Sequence, residues 1–235
     1  MSNLSKEYKK LVKYILDNGI SQNGRNGNVL IIPFYSFTLD FSNPENAKLK
    51  LRKIYTKGIE GEFKTLISKE PLTNVKQFEK NGCNYWKAWA KEDGSLNLDY
   101  YNELHPALEN IIKQIKENPY SRRHVISLWN NDHVFNNSLS LPCCWHNLTF
   151  SVIKDILYLT WTQRSVDTMV GLVSDIYLAY LFMDYVAKQC NLKIGKCMFA
   201  LSNVHIYKEH IDGAKEILKR TEKDFNKPLK FLLKE

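Results

Sequence analysis

The stretch from Leu141 to Asp167, LPCCWHNLTFSVIKDILYLTWTQRSVD, decides the fold that we predict for this chain. Apolar residues alternate with polar ones from Leu148 to Val152 and again from Ile156 to Thr162. Such alternation is typical of β-strands that bury one face. The two runs meet at Lys154-Asp155, so we predict a β-hairpin that turns at this dipeptide.

Reactive side chains stand at both ends of the predicted hairpin. Cys143 and Cys144 enter it, and Arg164-Ser165 leaves it, followed by Asp167. A thiolate is a nucleophile, and a guanidinium with a hydroxyl binds a phosphate group well. The pattern indicates a thiol that attacks a substrate held by its phosphate. A buried cysteine pair beside a surface arginine explains the same residues, because free cysteine is often a small core hydrophobe.

Length and composition limit the class of protein. The 235 residues, 44% of them hydrophobic, suffice for one substantial core, so we predict a single domain over residues 1–235. No unbroken apolar run approaches the roughly 18 residues of a membrane span. The first residues lack the apolar run of a signal peptide. We therefore expect a cytoplasmic protein.

The charge and the cysteines limit the partners. A net charge of +8 favours anionic partners, either nucleic acid or a small phosphate ester. The five cysteines are odd in number and lack paired spacing. They argue for reduced thiols and against a disulfide framework or a structural metal site.

The helices and strands follow one another irregularly, which favours an α+β fold over a doubly wound parallel sheet. The segment from Gly171 to Gln189 is apolar nearly all round and should be a buried helix. We predict further helices over 5–19, 51–66, 74–80, 103–117 and 209–220, and further strands over 29–32, 35–41, 125–129 and 197–201.

Several charged residues lie where they could bind a ligand. Arg25 lies in a turn-rich loop, and Arg122-Arg123 begins a strand, a position suited to a phosphate or a subunit contact. Glu62 lies on a predicted helix, where a carboxylate is usually solvated. Asp175 lies near a helix start, where the helix dipole also favours an acid.

Two aromatic features remain open at this level. Trp86 and Trp89 are spaced for the core or for a platform under a planar ligand, and the core is the more common explanation. His205 and Tyr207 point to the same side of an extended segment. A structural histidine is the usual explanation of such a residue.

Taken together, five segments resemble the thymidylate synthase family, which includes the deoxycytidylate and cytidylate hydroxymethylases. They occur in the family's order and at nearly its spacing: NYWKAWAKEDGSL, NPYSRRHVISLWN, LPCCWHNLTF, QRSVDTMVGL and NVHIYKEH. The resemblance runs from about Arg25 to His210. It implies a thymidylate synthase-like fold, with a mixed sheet, a long buried helix and a homodimer formed by sheets packed back to back.

The resemblance also implies roles for individual residues. Cys144 matches the nucleophile, because Phe150 follows it at the family's distance, and Cys143 takes the place of a proline. Glu62 matches a catalytic glutamate that orders water over the pyrimidine, and Tyr100 matches a tyrosine linked to proton removal. The phosphate ligands correspond to Arg25, Arg122, Arg123, Arg164 and Ser165, with Arg122 and Arg123 supplied by the neighbouring subunit.

The remaining matches concern the sugar and the folate. His205 and Tyr207 match groups that hold the sugar hydroxyl, while Trp86 and the catalytic Asp167 match residues near the folate. In this family a thiolate adds to pyrimidine C6, and C5 then attacks the carbon that methylenetetrahydrofolate supplies. Hydride completes a methyl group and water completes a hydroxymethyl group. We expect Arg164 to lower the pKa of Cys144.

Departures from the family's pattern indicate the substrate. Asp175 stands where thymidylate synthases carry an asparagine that reads uracil, and a carboxyl group suits the amino group of cytosine instead. Trp145, Lys87 and Tyr101 also depart from the pattern. The chain ends without the family's long C-terminal lid, which we expect to favour water over hydride.

The sequence therefore predicts 5-hydroxymethylation of CMP or dCMP with methylenetetrahydrofolate, without a metal. One alternative is a divergent thymidylate synthase that methylates dUMP. Another, of a different class, is a nucleic-acid-binding protein with an inactive site, favoured by the basic charge and five tryptophans. The lysines form no continuous stripe, which counts against it. The choice between ribose and deoxyribose stays open.

Overall fold

The computed structural model describes residues 2–24, 27–135 and 138–229, which form an α+β fold around an open mixed sheet. The helices are α1 (Asn3–Asn18), α2 (Thr56–Leu66), α3 (Lys76–Lys80), α4 (Asp99–Asn102), α5 (Leu104–Glu117), α6 (Asn131–Phe135), α7 (Gly171–Cys190) and α8 (Ile211–Lys219). The strands are β1 (Ile20–Gly24), β2 (Gly27–Asp40), β3 (Val125–Ser127), β4 (Trp145–Ile153), β5 (Ile156–Gln163), β6 (Val166–Asp167) and β7 (Lys193–Tyr207).

The predicted hairpin lies within this sheet. Across the described residues the strand order is β1-β2-β7-β5-β4-β3, with β6 paired to β7. β7 runs parallel to β5 and β6, whereas the other neighbours are antiparallel. β4 and β5 turn at Lys154 and Asp155, whose φ angles of 49° and 60° are both left-handed. This tight turn aligns the two strands from Ile153 and Ile156 onward.

The structure corrects several predicted boundaries. The first helix begins at Asn3 rather than Ser5, because the Ser2 side chain caps it by accepting from the Ser5 N–H. Residues 51–55 are not helical, and α2 begins at Thr56. The two strands predicted around Pro33 form one strand. Proline is tolerated there because Asn203 opposite it has a φ of 49°, which interrupts the ladder where an N–H would be missing.

The core lies between α7 and one face of the sheet. As predicted, α7 is a buried helix, and it packs on β5, β6 and β7. Trp161 is fully buried, with its ring centroid 4.7 Å from Trp145 and 6.3 Å from Phe182 of α7. Aromatic side chains of this size contribute a large share of the buried apolar area. The hairpin is thereby fixed against α7. None of the described helices is long and apolar enough to cross a membrane.

The opposite face of the sheet is rich in hydroxyl side chains. Thr149 of β4 pairs with Thr160 of β5, which in turn pairs with Met198 of β7. Met198 is 39% exposed, and Phe34 at the β2 side is 75% exposed. We call this surface the open face, made of Phe34, Ser36, Thr38, Thr149, Ser151, Tyr158, Thr160, Lys196 and Met198.

The turn at Lys154-Asp155 generates a stability prediction. Two non-glycine residues in the left-handed region are strained, and Asn-Gly suits such a turn best. We expect the double variant Lys154→Asn, Asp155→Gly to raise the free energy of unfolding by about 1 kcal/mol in urea titrations. The matched variant Lys154→Ala, Asp155→Ala keeps the strain and should not be stabilised. A less stable Asn-Gly variant would contradict this account of the turn.

Candidate active site

Arg164 holds the loop that carries the two cysteines. Its backbone N–H donates to the Cys144 carbonyl oxygen at 2.9 Å. Its guanidinium donates through Nε to the Cys143 carbonyl oxygen at 2.9 Å and through Nη2 to that of Pro142 at 3.1 Å. The guanidinium carbon also lies 5.2 Å from the centre of the Trp129 ring, within cation–π range. Arg164 therefore fixes the backbone around Cys144 from the neighbouring strand.

The two thiols face different surroundings. Cys143 is 2% exposed, and its sulfur lies 3.9 Å from the Leu128 carbonyl oxygen. Cys144 is partly exposed and lies within electrostatic range of Asp175, Arg164 and Asp167. Arg164 acts on both thiols, whereas the carboxylates of Asp175 and Asp167 act on Cys144.

Arg164 lowers the pKa of Cys144 as expected, but the net shift of this pKa is upward. Burial is the main cause that raises it to about 11, and Asp175 and Asp167 also raise it. Burial likewise raises the pKa of Cys143 to about 12. The cost of placing a thiolate in a dry site exceeds the attraction of one guanidinium. Cys144 is therefore a neutral thiol in the protein without a ligand.

Asp175 is bound from β5 rather than acting as a helix cap. The Gln163 side-chain amide donates to Asp175 Oδ2 at 2.7 Å. The same amide nitrogen lies 3.3 Å from the Ser165 carbonyl oxygen, and the amide oxygen accepts from the Trp161 indole at 3.2 Å. Val170 occupies the N-cap position of α7. No acid lies in the first turn of α7, so Asp175 lies beyond the part of the helix where the dipole favours an acid most.

The surroundings of Asp175 keep its carboxyl group partly protonated near neutral pH. Burial is the main cause that raises its pKa to about 7, and the carboxylates of Glu62 and Asp167 raise it as well. The hydrogen bond from Gln163 opposes them. Asp175 can therefore be either a hydrogen-bond acceptor or a donor at the pH of a cell.

Asp167 and His205 are paired between β6 and β7. Asp167 Oδ1 accepts from the N–H groups of Met169 and Val170 at 3.0 and 3.2 Å, so it orders the entry to α7. His205 Nδ1 lies 2.8 Å from the Asn203 carbonyl oxygen.

Two further contacts concern the end of β7 and connect it to the cysteine loop. The ring centroids of His205 and Tyr207 are 5.2 Å apart, which confirms that both side chains point to one side. The Asn203 amide donates to the Arg164 carbonyl oxygen at 2.8 Å, just before Ser165.

Glu62 is not the solvated carboxylate that its helix position predicts. It is 8% exposed, and its Oε1 accepts from the Trp86 indole at 2.8 Å. Its Oε2 accepts from the Tyr85 hydroxyl at 2.5 Å. Burial raises the pKa of Glu62, and these two hydrogen bonds oppose the rise. Trp86 itself is a core residue, stacked on Phe78 at 5.1 Å.

Tyr100 lies against the cysteine loop. Its hydroxyl donates to the Leu141 carbonyl oxygen at 2.8 Å. Burial raises the pKa of Tyr100 well above its ordinary value, and the nearby Cys143 and Cys144 add to the effect. Its neighbour Tyr101 packs against Trp145 at 5.5 Å. Tyr101 and Trp145, which both depart from the family's pattern, therefore contact each other beside the cysteine loop.

Arg122 and Arg123 do not join the other residues. Both are exposed, and they precede His124, whose carbonyl oxygen accepts from the Phe150 N–H at 2.9 Å. Phe150 lies six strand positions, about 20 Å along the strand, from Cys144, so His124 and the arginine pair before it are anchored at a part of β4 remote from the thiol of their own chain. Arg25 lies outside the described residues.

Comparisons with known proteins show the family to which the chain belongs. Residues 6–232 match the family model described as thymidylate synthase. Thymidylate synthase of Coxiella burnetii (strain Dugway 5J108-111) is 30% identical over 226 residues, which cover 92% of this chain and 84% of that protein. Thymidylate synthase of Buchnera aphidicola subsp. Schizaphis graminum is 30% identical over 231 residues, 93% of this chain and 85% of that one.

These matches define the class of protein: enzymes that transfer a one-carbon unit to a pyrimidine nucleotide. The chain belongs to the thymidylate synthase family. Members of this family take the one-carbon unit from methylenetetrahydrofolate and bind a pyrimidine nucleotide. The α+β fold implied by the resemblance is confirmed.

Two residues of the site were missed by sequence reasoning. Gln163 lies on the same buried face of β5 as Trp161. A polar residue on a buried strand face needs a hydrogen-bond partner, so the sequence could have indicated its role. Tyr85 carries no such signal, because its hydrogen bond joins residues that are distant in sequence.

The Asp175 pKa of about 7 predicts how stability varies with pH. An unfolded aspartate titrates near pH 4. The contribution of neutral Asp175 to the free energy of unfolding is therefore fully present below about pH 4 and is lost as the pH rises to about 7. Asp175→Asn removes this dependence. From pH 5 to pH 8 we expect the variant to gain about 2 kcal/mol relative to wild type in urea unfolding. A difference that does not change with pH would contradict the raised pKa.

Proposed function

We propose that this protein hydroxymethylates C5 of a cytidine 5′-monophosphate, CMP or dCMP, with methylenetetrahydrofolate as the carbon donor. The observation that carries the proposal is the Gln163–Asp175 hydrogen bond of 2.7 Å beside Cys144. It orients a carboxyl group with a pKa of about 7, and the sequence match pairs this residue with the family's asparagine that reads the base.

A carboxyl group of this kind fits cytosine. The ring offers an amino donor at N4 and an acceptor at N3, the reverse of uracil. One Asp175 oxygen accepts from the amino group, and the proton on the carboxyl group satisfies N3. Gln163 holds the Asp175 carboxyl group in this orientation, because the amide oxygen of Gln163 itself accepts a hydrogen bond from the Trp161 indole. A pKa of about 7 makes this proton available without a large cost.

The same proton helps the nucleophile. Asp175 raises the pKa of Cys144 when it is charged, so a neutral Asp175 removes this repulsion and leaves burial and Asp167 opposed by the attraction of Arg164. The Cys144 thiolate then adds to C6 and makes C5 a nucleophile toward the one-carbon unit. Base recognition and thiol activation are thus coupled through a single carboxyl group.

We assign the phosphate to the arginines. Arg164 has five N–H donors, and the Cys143 and Pro142 carbonyl oxygens engage its Nε and Nη2 groups. The remaining donors, with Ser165 and Arg25, bind the phosphate. We assign His205 and Tyr207 to the sugar hydroxyl, since both side chains point to one side next to Asp167.

The other polar groups serve the carbon transfer. We assign Glu62 to ordering the water over the pyrimidine and Tyr100 to proton removal from C5, because Tyr100 lies within electrostatic range of Cys144 and Glu62 lies within that of Tyr100 and Asp175. Trp86 and Asp167 line the folate side. Asp167 Oδ1 is engaged by the start of α7, and we assign the other oxygen to the folate. Water that reaches the exocyclic methylene at C5 completes the hydroxymethyl group.

We further propose a homodimer that packs the open faces of two subunits together. The exposed Phe34 and Met198 would be buried there, among hydroxyl groups that pair with their counterparts. Arg122 and Arg123 lie too far from Cys144 of their own chain to bind its substrate. In the dimer they complete the phosphate site of the second subunit.

The second candidate function is methylation of dUMP. It is favoured by the relatives, which are thymidylate synthases at about 30% identity. The two functions differ in the base and in the product. A hydroxymethyl and a methyl gain have different masses, so one experiment separates them.

The test is incubation of the purified protein with methylenetetrahydrofolate and each of CMP, dCMP, UMP and dUMP, read by mass spectrometry. We expect a hydroxymethyl gain on a cytosine nucleotide. Cys144→Ser should lose turnover, while the adjacent Cys143→Ser controls for removal of a thiol and should keep it. A methyl gain on dUMP with no product from CMP or dCMP would overturn the proposal.

The base preference should reverse in Asp175→Asn. The variant turns a donor toward N4 of cytosine, and an unmatched buried polar group costs about 1–3 kcal/mol. We expect turnover of the cytosine nucleotide to fall roughly tenfold to a hundredfold, since about 1.4 kcal/mol is one decade. Activity on UMP or dUMP should rise from background. An unchanged ratio of kcat/KM values on the two bases would contradict the role of Asp175.

Shared sites predict activity in mixed dimers. Co-expressed Arg123→Ala and Cys144→Ser subunits form hybrids in which one of two sites is intact, so about a quarter of wild-type activity should return. The matched control pairs Arg164→Ala with Cys144→Ser. Both residues serve the same site in one chain, so this pair should stay inactive. No recovery in the first pair, or equal recovery in both, would contradict a shared site.

A further inference from the structure

Tyr85 makes one half of a two-donor cradle for a buried carboxylate. Its hydroxyl donates to Glu62 Oε2 at 2.5 Å, while the indole of the next residue, Trp86, donates to Oε1 at 2.8 Å. Both donors come from the short 3₁₀ helix Tyr85–Trp89. Each oxygen of Glu62 therefore has its own donor, from consecutive residues of one turn.

The two donors differ in their exposure. Trp86 is 5% exposed and is held by its stacking on Phe78. Tyr85 is 36% exposed, so it lies between Glu62 and the solvent. A Cβ at Gly58, one helical turn before Glu62, would lie 2.3 Å from Tyr55 Cδ1 and 3.3 Å from Tyr85 Cε1, so this glycine makes room mainly for the Tyr55 ring beside Tyr85. The Tyr85 ring thus closes the outer side of the Glu62 site.

We propose that Tyr85 is a positioning residue that holds the Glu62 carboxylate in its ionised form and in a fixed orientation toward the substrate. The orientation follows from the contacts of Tyr85 and Trp86, and the same two hydrogen bonds favour the ionised form against burial. Only the part that Glu62 takes in the reaction rests on the proposed function.

The physical reason is that burial and hydrogen bonding oppose each other at Glu62. Burial raises its pKa, and the bonds from Tyr85 and Trp86 lower it. Removing the Tyr85 hydroxyl leaves burial opposed by one donor, so the pKa of Glu62 should rise. The titratable groups that face Glu62 are Cys83 and Tyr85 next to Trp86, Tyr100 and Tyr101 from α4, and Asp175 from α7.

The indole N–H of Trp86 provides a direct probe of Glu62. In ¹H–¹⁵N spectra each of the five tryptophans gives one indole resonance, and Trp86→Phe assigns the resonance of Trp86. Because this N–H donates to Glu62, its chemical shift should follow the protonation of the carboxylate. We expect Tyr85→Phe to move the midpoint of this titration upward by about one pH unit. A midpoint that stays or falls overturns the proposal.

A matched control removes the same kind of bond elsewhere. The Tyr177 hydroxyl donates to Glu60 Oε1 at 2.8 Å, so Tyr177→Phe also deletes a tyrosine–glutamate bond next to α2. It should leave the Trp86 midpoint unchanged. Replacing Tyr85 with 3-fluorotyrosine keeps the ring and strengthens the donor, so it should move the midpoint downward. This second variant tests the proposal if Tyr85→Phe folds poorly, and an upward shift would overturn it.

Activity gives a separate readout. If Glu62 acts in the reaction, Tyr85→Phe should lower kcat several-fold near neutral pH, move the acid limb of the rate profile upward, and leave the KM for the nucleotide unchanged. A shifted Trp86 titration with an unaltered rate profile would confirm the positioning of Glu62 and overturn its assigned part in the reaction. Failure of the proposed function is therefore distinguishable from failure of the cradle.

Discussion

The register between β4 and β5 is the constraint on which the site depends. A slip of one residue would turn every side chain of a strand to the other face. In the observed register Arg164 donates its backbone N–H to Cys144, and Gln163 pairs with Trp145. The turn at Lys154-Asp155 and the buried Trp161 both fix this alignment. The thiol, the guanidinium and the amide therefore reach the site from one hairpin.

The site gathers negative charge in a dry place. Asp167 and Asp175 lie on either side of Gly171, where a Cβ would be 3.7 Å from Asp175 Oδ2 and 3.9 Å from Asp167 Cβ. Glu62 adds a third carboxylate that raises the pKa of Asp175. Mutual repulsion and burial make a shared proton favourable. In this account that proton is held on Asp175, where it serves both the base and the nucleophile.

The sequence predicts the framework of this molecule well and its electrostatics poorly. The alternation of apolar and polar residues in the hairpin and the apolar residues on all sides of α7 are local sequence patterns. Both elements can therefore be predicted from the sequence alone. The sequence predicts a helix from residue 51, whereas residues 51–55 form an irregular chain in the structure. The pKa of Cys144 could not be predicted, because burial outweighs Arg164 by an amount that only tertiary packing sets. The Tyr85 donor to Glu62 is hidden for the same reason.

The central claim is that Asp175 carries a proton when it binds cytosine. Calorimetry at pH 8 in two buffers of different ionisation enthalpy measures the protons taken up on binding. Asp175 is mostly charged at that pH without a ligand, given its pKa of about 7. The account predicts that binding of CMP or dCMP takes up close to one proton more than binding of the matching uracil nucleotide, which carries the same phosphate. Equal proton uptake by the two nucleotides would contradict it.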